Sequence, residues 1–120
     1  MNPVFVCGRR AFVPPSFLTV RLRVETTLVR CELAEHPPFQ PHFAYAADRP
    51  DALPEAVWAV WSDRDPTVRF HVLADCDTGN GQEGAEEHYC TLFEAHPAPC
   101  SWAMICLHRE VDALMAEFER

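Results

Sequence analysis

The sequence contains no lysine, so all ten of its basic residues are arginines. Eighteen aspartates and glutamates outnumber them, which gives a formal net charge of −8 at pH 7. The imbalance is uneven, because residues 1–30 carry a net charge of +4 and residues 31–120 carry −12. A negative surface repels phosphate backbones and anionic membranes and attracts basic partners. We therefore expect no direct binding to nucleic acid or membrane, and a protein with a basic surface as the partner.

Long apolar runs are also missing. None exceeds about six residues, whereas a membrane-spanning helix needs about 20. The first twenty residues contain the pair Arg9-Arg10, but Pro14 and Pro15 interrupt the apolar stretch that an export signal would need. We therefore expect a cytoplasmic protein whose cysteines, six in number, stay reduced.

The length of 120 residues predicts a single domain spanning 1–120. Alternating apolar and polar residues predict strands, most clearly in TVRLRVET. The predicted strands are 19–26, 28–33, 67–75, 87–95 and 102–107, with a short hairpin formed by 3–7 and 11–13. Five prolines in residues 35–54 predict a long irregular connection.

Helical spacing of large apolar residues predicts two helices. The first covers 52–63, where Val57, Trp58 and Trp61 recur at helical intervals. The second covers 108–120 and carries an apolar stripe on one face. That stripe consists of Val111, Leu114, Met115 and Phe118. The fold class expected from these elements is α+β, an antiparallel sheet of four to five strands with two helices packed on it.

Glycine is scarce too, and three of the four glycines fall within DCDTGNGQEGAEE, residues 75–87. The spacing of Asp75, Asp77, Glu83 and Glu86 fits positions 1, 3, 9 and 12 of an EF-hand loop, but a glycine stands at position 5 and Asn80 at position 6. We therefore interpret the stretch as an exposed acidic hairpin tip and not as a calcium loop.

One triplet in this stretch, Asp77-Thr78-Gly79, resembles the Asp-Thr-Gly triplet of aspartic proteases. The residues around it depart from that family, because Cys76 precedes the triplet where an apolar residue normally stands, and Asn80 follows it in place of a small residue. Cys76 and Cys90 lie among carboxylates, which disfavour a reactive thiolate. We therefore assign no catalytic residue.

These features favour a small acidic protein-binding module, an inhibitor or an immunity or anti-defence protein that masks a basic, nucleic-acid-binding surface of its target. This is an analogy from size and charge, and it requires no cofactor. The expected partner-binding residues are carboxylates, with Trp58 or Trp61 as an aromatic anchor. The carboxylates are Asp75, Asp77, Glu83, Glu86, Glu87 and Glu94. A homodimer, in which strand 19–26 meets the acidic half of a second copy, is a further hypothesis.

The alternative is a metal-binding domain or a metal-dependent hydrolase. No Cys-x-x-Cys pair exists, but residues 88–100 contain two histidines and two cysteines, which are ligands that zinc accepts. His88 and Cys90 would share one strand face, with His71 across the hairpin. The candidate ligands are His71, His88, Cys90 and His96.

Overall fold

The computed structural model describes residues 3–13, 28–48 and 55–118. These residues form an α+β fold with five strands in two antiparallel sheets and one α-helix. The strands are β1 (Arg10–Phe12), β2 (Leu28–Arg30), β3 (His42–Asp48), β4 (Glu55–Trp61) and β5 (Arg69–Ala74). The helix α1 spans Leu107–Phe118, and short 3₁₀ helices span Gly84–Glu86 and Ser101–Ala103. The α+β class is confirmed, but the strands are divided between two sheets and the described residues contain one α-helix where two were predicted.

The smaller sheet pairs β1 with β2. Ala11 and Val29 lie opposite each other and are buried, so this ribbon turns one face to the core. The predicted hairpin between 3–7 and 11–13 is wrong, because Phe5 and Val6 instead form isolated bridges with Ile105 and Ala34. The predicted strand 19–26 lies outside the described residues, and with it the proposed dimer contact.

The larger sheet has the order β3-β4-β5. Its central strand β4 occupies the segment predicted as a helix, and that prediction is wrong. A central strand buried on both faces carries apolar residues at consecutive positions, so its sequence does not alternate. Residues Ala56 to Ala59 are all buried, which matches this pattern. The prediction of an irregular connection over 35–54 is also wrong, because this segment contains β3. Strand β3 pairs along nearly its whole length with β4.

The chain after β5 packs its aromatic residues onto this sheet. The ring of Phe93 lies 4.6 Å from that of Phe43 and 5.2 Å from that of Trp58, measured between centroids. Phe93 also forms an isolated bridge with Asp75, and Gly79 forms another with Tyr89. The predicted hairpin of 67–75 with 87–95 is therefore present as an antiparallel return, but only its first arm, β5, is a regular strand. Residues 101–103 form a 3₁₀ turn where 102–107 was predicted as a strand.

Helix α1 confirms the prediction for the C-terminal segment. Its apolar stripe is exposed, including Phe118, and none of its residues is buried. The expected packing of this stripe on a sheet is therefore not found. Within the described part of the chain, α1 and the other helices are too short or too polar to cross a bilayer.

Candidate metal centres

Two groups of cysteines and histidines meet in space within the described residues. The first, which we call site 1, consists of Cys7, Cys31, His36 and His42. Cys31 follows β2 directly, and His42 is the first residue of β3. The backbone brings Cys7 to them, because its N–H donates to the carbonyl of Leu33 over 2.7 Å. The four ligand atoms of site 1 all lie within 4.8 Å of one another.

The second group, site 2, consists of Cys76, Cys90, His96 and Cys100. Cys76 lies two residues beyond β5, and Cys100 immediately precedes the 3₁₀ helix at Ser101. Backbone hydrogen bonds hold the segments around Cys76 and Cys90 together. The N–H of Cys76 donates to the carbonyl of Leu92, and the N–H of Cys90 donates to the carbonyl of Thr78. Here too the four ligand atoms lie within 4.8 Å of one another.

Four sulfur–nitrogen distances, two in each group, match the edge of a metal-centred tetrahedron. With Zn–S near 2.3 Å and Zn–N near 2.0–2.1 Å, sulfur and nitrogen ligands lie about 3.6 Å apart. In site 1, Sγ of Cys7 is 3.6 Å from Nδ1 of His42, and Sγ of Cys31 is 3.6 Å from Nε2 of His36. In site 2, Nε2 of His96 is 3.4 Å from Sγ of Cys90 and 3.8 Å from Sγ of Cys100. Four ligand atoms gathered at these separations can hold one tetrahedral ion.

Each of the three histidines has its second ring nitrogen hydrogen-bonded, as metal-binding histidines usually do. His42 donates from Nε2 to the carboxylate of Asp63 over 2.8 Å. Nδ1 of His36 lies 3.1 Å from the carbonyl oxygen of Pro37, and Nδ1 of His96 lies 2.7 Å from that of Pro97. An N–H directed at an oxygen places the proton on that nitrogen, so the nitrogen facing the cysteines carries the lone pair. All three rings are therefore held in the tautomer that metal binding requires.

The surroundings of the thiols shift their pKa values in both directions. Burial raises the pKa of Cys31 to about 12, although the N–H groups of Phe43 and Leu33 oppose that shift. Burial likewise raises the pKa of Cys100 to about 11. At Cys76 the hydrogen bond with Thr78 has the larger effect and lowers the pKa to about 6. In site 2 the backbone N–H of Ser101 also donates to Sγ of Cys90 over 3.4 Å.

Of the four predicted metal ligands, the structure brings Cys90 and His96 together in site 2. His71 lies exposed on β5, opposite Trp58. His88 is exposed near the end of residues 77–89, which we call the acidic loop. Neither belongs to the groups found among the described residues. The sequence interpretation did not identify the other six ligands, which are Cys7, Cys31, His36, His42, Cys76 and Cys100. One local signal was present, since His36 and His96 each follow a cysteine closely and are each followed by proline.

The predicted partner-binding residues separate into two groups. Trp58 and Trp61 are 1% and 4% exposed and belong to the core, so neither indole is available as a surface anchor. All six carboxylates proposed for partner binding are exposed. None of the ion pairs found within 3–13, 28–48 and 55–118 involves them.

The acidic loop between Cys76 and Cys90 is an ordered structure built around Asn80. Its side chain donates to the carbonyl of Glu86 over 2.8 Å and accepts from the N–H groups of Gln82 and His88. The indole N–H of Trp102 donates to the carbonyl of Thr78. Both ends of the loop are residues of site 2, so an ion bound there would fix the base of the loop.

Chemically, each site can supply four protein ligands to one ion. Catalytic zinc sites keep a position open for water or substrate, whereas structural sites are closed by four cysteines and histidines. Site 1 has the Cys₂His₂ set and site 2 the Cys₃His set. Comparisons of this chain with protein families, with curated proteins and with solved structures find no match to any of them.

Proposed function

We propose that this protein is a zinc-binding domain in which two ions, one in each site, stabilise the fold. The observation that carries the proposal is the pair of four-ligand groups whose sulfur–nitrogen separations match a tetrahedron. The ordered second ring nitrogens of His36, His42 and His96 support it. Because four protein ligands fill each coordination sphere, the proposed role of both ions is structural and not hydrolytic.

The donor set favours zinc over other ions. Calcium, magnesium and manganese prefer oxygen ligands, whereas thiolate combined with imidazole in a tetrahedron suits zinc. Reduced thiols are needed for such sites, which agrees with the proposed cytoplasmic location. Each site lies beside an aromatic residue of the core, since the ring of His42 is 5.5 Å from that of Trp61 and the ring of His96 is 6.1 Å from that of Phe93. Two ions at these positions would hold the irregular segments on both sides of the larger sheet.

The expected energetic contribution is large compared with the stability of a small domain. Structural zinc sites in small domains contribute about 10–16 kcal/mol of apparent binding free energy at pH 7. A whole domain is typically stable by only about 5–15 kcal/mol. The strands β1 and β2 have three residues each, so the ribbon near site 1 has few backbone pairs of its own. Removal of both ions is therefore expected to unfold most of the chain, whereas loss of one ion should leave the other site formed.

Metal analysis of the purified protein tests the proposal. We expect two zinc ions per chain by mass spectrometry, and a cobalt-substituted protein with intense tetrahedral absorption. Cys31→Ala and Cys100→Ala are each expected to reduce the content to one ion. His88→Ala and Cys106→Ala are matched controls outside both sites and should retain two. A protein that binds no zinc, or that loses zinc with His88→Ala but retains both ions with Cys31→Ala, would contradict the proposal.

A second candidate function is supported by the exposed acidic loop, residues 77–89. We propose that its carboxylates contact a basic protein surface, in the manner of an inhibitor or an immunity or anti-defence protein. An unpaired acidic surface speeds association with a basic partner through long-range attraction. Because site 2 closes the base of this loop, zinc would order the binding surface.

Affinity capture from the native host tests this second function. A specific partner should be retained by the wild-type protein at low salt, be bound more weakly as the ionic strength rises, and be lost when Glu83, Glu86 and Glu87 are replaced by glutamine. Glu110→Gln on α1 provides a control with the same chemistry on another element. Equal retention by the wild-type and glutamine variants would rule out the acidic loop as the contact surface.

A further inference from the structure

A groove of about 780 Å³ lies on the ribbon formed by β1 and β2 and borders site 1 only at Cys7. Its volume is within the range of about 300–1,000 Å³ that small-molecule sites occupy. The lining includes Arg9, Arg10, Arg30 and His108, and none of the described residues that line it is a carboxylate. Three of the ten arginines therefore line one groove, in a protein with a net charge of −8 and no lysine.

Two of these arginines are direct cross-strand partners. Arg10 and Arg30 lie opposite each other in the antiparallel register of β1 and β2, and both point away from the buried face formed by Ala11 and Val29. Like charges directly opposite each other destabilise a sheet. Neither guanidinium is in an ion pair with a carboxylate of the described residues, whereas Arg9 pairs with Asp63 and Arg69 with Asp65. An anion bound between Arg10 and Arg30 would relieve this repulsion.

His108 of helix α1 also lines the groove. Arg30 donates from Nη1 to Nε2 of His108 over 3.0 Å, which requires the imidazole to be neutral with its proton on Nδ1. Gly8 allows this approach, because a Cβ at that position would lie 3.3 Å from the His108 ring and φ there is +70°. The Arg30 side chain is thus held in place and presents its remaining N–H groups at the groove.

An exposed aromatic side chain lies beside the arginines. Phe12 is 76% exposed and lines the groove, on the same face of β1 as Arg10. Residues two positions apart on a strand, such as Arg10 and Phe12, are about 7 Å apart. This separation suits a ligand whose anionic group and flat ring are separated by a sugar. Phosphate binds arginine through paired hydrogen bonds, and bases stack on exposed aromatic rings.

From this arrangement we infer that the groove binds a small phosphorylated ligand of the nucleoside monophosphate class. The phosphate lies between Arg10 and Arg30, and the base stacks on Phe12. A long polyanion is disfavoured, because the rest of the protein is strongly negative and repels further phosphates. The inference does not depend on the proposed metal sites, since none of the arginines or Phe12 is a ligand there.

Calorimetric titration of the metal-loaded full chain with adenosine 5′-monophosphate, inorganic phosphate and adenosine tests this site. The monophosphate should bind more tightly than either fragment. Arg10→Gln or Arg30→Gln should weaken it by about 10- to 100-fold, the usual effect of losing a hydrogen bond to a charged group. Phe12→Ala should weaken the monophosphate by about 5- to 100-fold, from lost stacking, and leave inorganic phosphate unchanged. Arg69→Gln, an exposed arginine of β5 that does not line the groove, should change nothing.

Each remaining outcome would overturn the inference. These outcomes are no binding of the monophosphate at millimolar concentration, equal binding by wild-type and both arginine variants, and equal affinity for adenosine and its monophosphate. Tighter binding of a single-stranded oligonucleotide than of the monophosphate would also overturn it, because it would identify a polymer as the ligand. Circular dichroism of each variant shows whether it is folded, and its metal content is measured separately, so that a failure of the groove is distinguishable from a failure of the metal sites.

Discussion

Replacement of Asp63 tests how the surface of the protein supports site 1. This carboxylate accepts the 2.8 Å hydrogen bond from Nε2 of His42, whose other nitrogen lies 3.6 Å from Sγ of Cys7. The same bond lowers the pKa of Asp63. His42 itself is 3% exposed, so water cannot replace the carboxylate as the acceptor without a rearrangement. The carboxylate therefore both orients the ring and increases the basicity of Nδ1, the nitrogen that faces Cys7 and would bind the proposed ion.

The loss of such an outer partner typically lowers metal affinity by about 10- to 100-fold. Asp63→Asn retains an oxygen that can accept the hydrogen bond and removes only the charge, so we expect an effect near the lower end. Asp63→Ala removes the acceptor and leaves a buried N–H without its partner, so we expect an effect near the upper end. Only the ion in site 1 should be affected, because Asp63 contacts no residue of site 2.

Competition with a chromophoric chelator measures the two zinc affinities separately. In both variants one ion should be lost more readily and the other should be retained at the wild-type affinity. Asp65→Asn is the matched control, since Asp65 is also a partly exposed carboxylate paired with an arginine but does not contact a histidine. Unchanged affinities in Asp63→Ala, or an equal loss at both sites, would refute the reasoning.

Three further predictions concern the core, a tyrosine and the acidic loop. Phe93→Ala should lower the free energy of unfolding by about 3–5 kcal/mol in urea denaturation, because Phe93 is 5% exposed and packs between Phe43 and Trp58. Phe12 is exposed, so Phe12→Ala should change the free energy of unfolding by less than about 0.5 kcal/mol. Tyr45 should ionise at about pH 12, because burial raises its pKa most and Asp48, Asp75 and Glu32 raise it further. The folded state then binds the tyrosine proton more tightly than the unfolded state, so the stability of the protein should fall as the pH rises above 10. Tyr45→Phe should remove the last step of the tyrosinate absorbance titration. Asn80→Ala should accelerate amide exchange at Gln82 and His88, the two N–H groups that its side chain accepts from, and leave the zinc content unchanged; slow exchange at both would contradict the role given to Asn80.

The parts of the fold that the sequence predicts are those whose local pattern agrees with their burial. β5 was predicted from alternation and α1 from helical spacing, and both are present. The segment around Trp58 was misread, because a strand buried on both faces has no alternation to detect and the spacing of its tryptophans imitates a helix. β3 was missed for another reason. The prolines before it suggested a connection, but they end at Pro41, one residue ahead of the first paired position.

The metal sites illustrate a different limit. Cys7 and His42 are 35 positions apart, and only the pairing of β1 with β2 and the start of β3 brings them together. Cys90 and His96 are six positions apart, and these were recognised. The selection of His71 and His88 as their companions assumed a regular hairpin. The chain instead returns through isolated bridges, which direct Cys76 and Cys100 towards the cluster.

The position of Cys76 and Cys90 at the two ends of the acidic loop has a consequence for how this protein can change over time. Near the tip, a Cβ added at Gly81 or Gly84 would meet no atom within 4 Å, so the surroundings leave room for longer or different segments, although the positive φ at both positions favours glycine. A segment tied at its base tolerates insertions without disturbing the scaffold. The sequence of the tip can therefore vary while the sheet and the two groups of cysteines and histidines stay the same.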